Sequence, residues 1–133
     1  MLNIPHSILE ITSRKQNILI AGMGGGFDVY GGLPLYYTLK AMGKSVHLAN
    51  YSFTNFDEVV HVAEPEIINN NLFAANAKIH GQPQYYPEGF LSQHFMLTEK
   101  EHAPVYMFKK TGVLPLMKSY QYLIDTLKLD LII

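Results

Sequence analysis

Cysteine and tryptophan are both missing from the 133 residues. Without cysteine there is neither a disulfide framework nor a thiolate metal site, which suits a reducing cytoplasm. Charge is sparse as well. Asp, Glu, Lys and Arg make up 16% of the chain and the formal net charge is −1. That balance gives no general electrostatic pull toward nucleic acid or an anionic membrane. No apolar run approaches the roughly 20 residues a membrane-spanning helix needs. Met1 to Lys15 carries Glu10 and polar residues among its apolar ones, unlike a signal peptide. The six histidines lack any close helical pairing, so no metal site is expected of them. The expectation is a soluble cytoplasmic protein with no nucleic-acid or membrane partner.

What is present fits one globular domain over residues 1–133, with 48% hydrophobic residues and enough length for a real core. Nine Tyr and seven Phe supply the aromatics. Tyr pairs an apolar face with a hydrogen-bonding tip, which suits half-buried surface and the rims of pockets.

The most informative stretch runs from Gly22 to Gly32, where six of eleven residues are glycine, directly after the apolar Ile18-Leu19-Ile20-Ala21. A strand emptying into such a loop, with a helix following, builds an anion site. Glycine backbone leaves N–H groups uncovered, and a helix N-terminus adds free donors and partial positive charge. The dinucleotide fingerprint G-x-G-x-x-G does not fit. From Gly22 its third glycine falls on Phe27, and from Gly24 on Val29. The acidic residue expected at the end of the next strand is absent from Leu48-Ala49-Asn50-Tyr51, although Asn50 is able to bind a ribose hydroxyl. No G-K-[ST] closes the glycine run, and neither G-x-S-x-G nor H-E-x-x-H occurs.

Around this loop the chain reads as α/β. Asn3-Ile4-Pro5 starts a short helix whose apolar face is Ile4, Ile8, Leu9 and Ile11. Asn17 to Ala21 is a strand, apolar at consecutive positions as in a central parallel strand. Leu33-Pro34 opens a helix that stops near Gly43, and Ser45 to Tyr51 is the second strand, completing a βαβ unit. Asp57 to Ala63 reads as a strand or a helical turn, and Ile67 to Ala77 as irregular or a short helix. Pro87 begins a helix over Glu88 to Met96. Pro104 to Lys109 is a third strand, Leu114-Pro115 begins a long amphipathic helix, and Leu129 to Ile133 is a fourth strand. The motif Gly-x-Leu-Pro-Leu occurs at Gly31 to Leu35 and at Gly112 to Leu116, each between a strand and a helix. It reads either as ordinary helix-start chemistry or as a duplicated ligand-facing loop.

The candidate ligand-binding residues are therefore Gly22, Gly24, Gly25, Gly26, Phe27 and Asp28 in the loop, Asn50 after the second strand, and Thr111 and Gly112 after the third. Asp28 has two readings: a carboxylate that orients a ribose, a metal-bound water or a proton, or a side chain that accepts hydrogen bonds from its own turn. Lys109-Lys110 places a basic pair at the same end of a parallel sheet.

The run Ala21 to Val29, Gly32-Leu33-Pro34-Leu35, Gly43-Lys44-Ser45-Val46, Pro87-Glu88-Gly89-Phe90-Leu91, Pro104-Val105-Tyr106, Thr111-Gly112-Val113 and Asp130 to Ile133 resembles, in order, the family called domain of unknown function 1152. The resemblance implies a Rossmann-like fold and brings no established activity. It also implies a longer chain, with acidic loops following the strand that matches Leu129 to Ile133. On that reading the sheet is truncated after its fourth strand, with an apolar edge that favours a homo-oligomer through the C-terminal strand.

The leading expectation is a Rossmann-like, mainly parallel α/β domain with helices on both faces. It binds an anionic small molecule, a nucleotide or sugar phosphate with Mg²⁺ as an option, on the glycine loop. The rival is a non-catalytic interaction or regulatory module that pairs with itself or a longer relative. A complete enzyme ranks last, because one loop carboxylate without a base–nucleophile pair leaves catalytic groups unassigned.

Overall fold

A computed structural model describes residues 5–25 and 27–133. The expected helix-capping Asn3, the apolar Ile4 and the loop residue Gly26 lie outside the described residues. The structure is mixed α/β, built on a six-stranded sheet ordered β3-β4-β5-β2-β1-β6. Its strands are β1 (Asn17–Gly22), β2 (Ser45–Tyr51), β3 (Glu66–Asn69), β4 (Leu72–Ala75), β5 (Val105–Phe108) and β6 (Leu131–Ile132). The helices are α1 (His6–Ser13), α2 (Asp28–Gly31), α3 (Leu33–Ala41), α4 (Phe56–Val62), α5 (Pro87–His94), continued by a π-helical turn at Phe95–Glu99, and α6 (Val113–Leu127).

The four strands expected from the sequence form the parallel part. β1 pairs with β2 and β6, and β2 with β5, all parallel. Taken in chain order these four lie third, second, first, fourth across the sheet. Consecutive apolar residues are explained by cover on both faces. Ile18 and Ile20 pack with Tyr36, Leu39 and Leu48, whereas Leu19 packs with Ala49, Phe108 and Leu123. The second of these cores is covered by α6 through Leu116, Tyr120, Leu123 and Leu127, and the first by residues of α2 to α5.

The middle of the chain corrects the sequence reading. The stretch read as irregular or a short helix, Ile67 to Ala77, is instead the β3–β4 hairpin, which pairs antiparallel and extends the sheet beyond β5. Three asparagines form its turn: the Asn69 Oδ1 accepts from the Asn71 N–H at 2.8 Å, a side chain standing in for a backbone turn. Leu72 to Ala75 are buried throughout, while three of the four β3 residues are exposed, as suits an edge. Of the two readings of Asp57 to Ala63, the helix is the one found. It is α4, capped by Asn55, whose Oδ1 accepts from the Glu58 N–H at 3.3 Å.

β6 is anchored at both ends. The Asp130 carboxylate accepts from the Asn17 N–H at 2.9 Å and the Gln16 N–H at 3.0 Å. Past the strand, the Ala21 N–H donates to the Ile133 carbonyl at 2.8 Å. Among the described residues no helix is long and apolar enough to cross a membrane.

Candidate functional site

β1 delivers the glycine loop to the C-terminal edge of the parallel strands. Gly22 lies opposite Asn50 in register. A Cβ on Gly22 would stand 2.5 Å from the Asn50 Oδ1 and 2.9 Å from the Val29 backbone nitrogen, so only glycine fits. Gly25 has φ +126°, outside the range side-chain-bearing residues adopt. Its carbonyl accepts two bonds, from the Asp28 N–H at 3.1 Å and from Asn50 Nδ2 at 3.0 Å. The N–H groups of Gly24 and Gly25 donate to no acceptor among the described residues.

The Asp28 side chain turns back over Gly24, where a Cβ would collide with its carboxylate. Asp28 also begins α2 and is exposed. A carboxylate therefore already stands beside the exposed Gly24, whereas Gly25 is buried with the Phe53 ring against it. Phe27 precedes α2 as a solvent-exposed ring, 5.6 Å from Tyr30 and 6.0 Å from Tyr85 between centroids.

Asn50 is not where a sugar-lining residue would be. It is 0% exposed, and its amide is shared between the Gly25 carbonyl and Glu88 Oε1 at 2.9 Å. The expectation that it lines a ribose is corrected by this burial: its side chain holds the loop from below. Its Oδ1 has no hydrogen-bond partner among the described residues. Glu88, on the first turn of α5, is likewise 0% exposed, and its Oε2 accepts from Thr54 Oγ1 at 3.1 Å. Burying a carboxylate is costly unless donors surround it, and here each oxygen has one. The same region acts on its tyrosines. Burial, and next the Glu88 charge, push the Tyr30 and Tyr86 hydroxyls above the ordinary phenol range. Tyr30 donates to the Pro87 carbonyl at 2.8 Å.

Beside the loop lies a cleft of about 340 Å³ at the C-terminal ends of β2 and β5, lined by residues 52–57 with Lys109 and Lys110. The Phe53 ring joins the two parts, coming 3.2 Å from where a Cβ on Gly25 would stand while forming the cleft wall. The Lys110 Nζ lies 5.6 Å from the Phe53 ring centroid, and the Lys109 Nζ 5.9 Å from that of Phe56. Neither lysine is paired with a carboxylate among the described residues. Thr111 and Gly112 stand at the same edge, leading into α6, but make no hydrogen bond to the glycine loop among the described residues. A Cβ on Gly112 would meet only Pro115, at 4.0 Å, so that position does not demand glycine.

Further recesses lie elsewhere. One, of about 350 Å³, surrounds the Lys40–Glu101 ion pair and residues 44–48, at the opposite end of the sheet. Another, of about 190 Å³, is apolar and lies between α1 and β6. Among the described residues no three His, Asp or Glu side chains come together to hold a metal.

Sequence reasoning missed Glu88, Thr54 and Phe53. An acidic residue in a helix's first turn is ordinary, so Glu88 offered only its setting, with Tyr85-Tyr86-Pro87 before it and Phe90-Leu91 after. Phe53 and Thr54 sit in a connector whose course depends on the helix that follows. Comparison with family models, with curated proteins and with solved structures gives no match to this chain.

Proposed function

We propose that this chain is a Rossmann-like domain that binds an anionic small molecule, a nucleotide or sugar phosphate, at the C-terminal edge of its parallel strands. The observation that carries the reading is the pair Lys109 and Lys110. They carry positive charge without a carboxylate partner among the described residues, on a cleft that meets the glycine loop at Phe53. The strand order, third-second-first-fourth, supports the Rossmann reading: such sheets take ligands outside their strand C-termini near the point where the order reverses. Here that point lies between β1 and β6, beside the glycine loop, with the lysine cleft further along the same edge. The exposed Gly24, whose N–H donates to no acceptor among the described residues, supplies a further donor, and the exposed Phe53 and Phe27 rings supply apolar surface.

The loop's own carboxylate divides the work. Asp28 beside Gly24 disfavours a phosphate there and Gly25 is buried, so the anion sits toward the lysines, and Asp28 serves a hydroxyl or a water-bound Mg²⁺. Membership of the domain of unknown function 1152 family belongs to the same proposal and rests on the motifs of the sequence. A cytoplasmic location rests on the absence of cysteine. The test is thermal unfolding with ADP and ribose 5-phosphate against adenosine and ribose. Stabilisation that rises with dose for the phosphates and not for the neutral pair is expected. No shift with any of the four removes the reading.

A second reading is self-association through the sheet edge at β6. Ile11, Ile132 and Ile133 are exposed around the apolar recess beside that strand. Light scattering separates the two: a dimer that Ile132→Lys dissociates favours association, and a monomer over the working concentrations excludes it.

A further inference from the structure

We infer that Glu88 is a positioning residue for the ligand site: from beneath, it fixes both loops that border the site while contacting neither solvent nor ligand. The functional meaning rests on the ligand-binding reading above, whereas the geometry stands by itself.

The two loops are the glycine turn between β1 and α2, which holds Gly24 and Gly25, and residues 52–55, after β2. They belong to different crossovers and share few bonds of their own. Glu88 reaches both. Its Oε1 accepts from Asn50 Nδ2 at 2.9 Å, and the same nitrogen donates to the Gly25 carbonyl at 3.0 Å. One amide group thus spends its two protons on the carboxylate and on the peptide with φ +126°. The other carboxylate oxygen accepts from Thr54 Oγ1 at 3.1 Å, and the Thr54 N–H is folded onto Ser52 Oγ at 3.1 Å.

Without the carboxylate, the Asn50 amide has no second acceptor and is free to turn away from Gly25. The Gly25 carbonyl is then held by a single remaining bond, from the Asp28 N–H at 3.1 Å, and the turn is less firmly fixed. A second tether runs the same way, because the Tyr30 hydroxyl in α2 donates to the Pro87 carbonyl at 2.8 Å, one residue before Glu88. The start of α5 is therefore docked against both site loops. This also accounts for the close packing there: Gly89 lies against the Tyr86 ring with no room for a Cβ, which lets the first turn of α5 sit deep enough for Glu88 to reach.

A residue that only filled space would behave differently from one that directs donors. Glutamine at position 88 keeps an acceptor for Asn50 and offers an amide to the Thr54 hydroxyl, whereas alanine removes both bonds. The experiment compares Glu88→Gln, Glu88→Ala and Thr54→Val by ¹H–¹⁵N spectra and amide exchange of the whole chain, with no ligand added. In Glu88→Ala the resonances of Gly25, Asp28 and Thr54 move, and exchange at the Asp28 amide quickens by roughly tenfold or more, while Leu19 and Ala49 keep their wild-type protection. In Glu88→Gln those loop signals stay near their wild-type positions.

The inference is overturned if Glu88→Ala leaves the Asp28 amide unchanged, if Leu19 and Ala49 lose protection to the same degree, or if Glu88→Gln disturbs the loops as much as alanine does. Should Glu88→Ala fail to fold, Thr54→Val decides. A shift at Asp28, which Thr54 does not touch, supports transmission through Glu88, and a shift confined to residues 52–55 overturns it. Because no ligand enters this test, a failed titration with phosphate esters would remove the ligand-binding reading and leave the result at Glu88 standing.

Discussion

The ring of Phe53 lies 3.2 Å from the point a Cβ on Gly25 would occupy, so the loop after β2 closes directly on the loop after β1. The same ring lies beneath the Lys110 ammonium, 5.6 Å from its centroid. One aromatic side chain thus touches the glycine turn, walls the cleft and faces a cation.

Charge reversal at the lysines follows from that arrangement. Lys110→Glu should weaken ADP binding by about tenfold or more, since it exchanges attraction for repulsion at a partly desolvated phosphate. Binding by the wild type should fall with added salt, and the variant should show a shallower dependence. Titration calorimetry at two salt concentrations checks both.

The two ends of the glycine run should respond differently to a methyl group. Gly22→Ala drives a Cβ into Asn50 Oδ1 at 2.5 Å and the Val29 nitrogen at 2.9 Å, and should cost about 2 kcal/mol. Gly31→Ala meets nothing within 4 Å and sits in a helix, so it should be neutral or stabilise by about 0.5 kcal/mol. Urea unfolding of both variants measures the contrast.

Asp130 links stability to pH at the opposite end of β1. Hydrogen bonds from the Gln16 N–H first, and from the Asn17 N–H, hold its carboxyl below the ordinary carboxylate range. The folded value is depressed, so its contribution is present above the unfolded value of about 3.9 and is lost as pH falls through the folded one. Asp130 is exposed, which keeps the effect small. Asp130→Asn should lower stability at pH 7 and narrow the difference between wild type and variant at pH 2, measured by denaturant titration.

Ser119 carries the larger predicted gain in stability. Its hydroxyl is buried on α6, beside the asparagines of the hairpin turn, and has no hydrogen-bond partner among the described residues. Ser119→Ala removes an unsatisfied polar group and should raise stability by about 1 kcal/mol, read as a higher Tm.

The parallel part of this fold was legible because burial on two faces leaves a plain mark. Ile18 to Ile20 and Leu48-Ala49 are apolar at successive positions, and Leu33-Pro34 and Leu114-Pro115 mark the first turns of α3 and α6. The hairpin was not legible. Its edge strand is exposed at three of four positions and its turn is a run of asparagines, so neither strand periodicity nor a Gly-containing turn announces it. In the candidate site, the glycine run was recognisable as a whole, but not that Gly22 is required by close packing and Gly25 by its positive φ. Asn50 was recognisable as polar at the end of a strand, but its direction was not, because only tertiary packing brings Glu88 of α5 beneath it. Local sequence carries no trace of a partner 38 residues away.

The most direct measurement is a ¹H–¹⁵N titration of the wild-type chain with ADP. If the glycine loop and the lysine cleft are one anion site, Gly24, Gly25, Phe53 and Lys110 shift together along a single binding curve. Perturbations confined to the Lys40–Glu101 recess, or no perturbation at millimolar ADP, would contradict it.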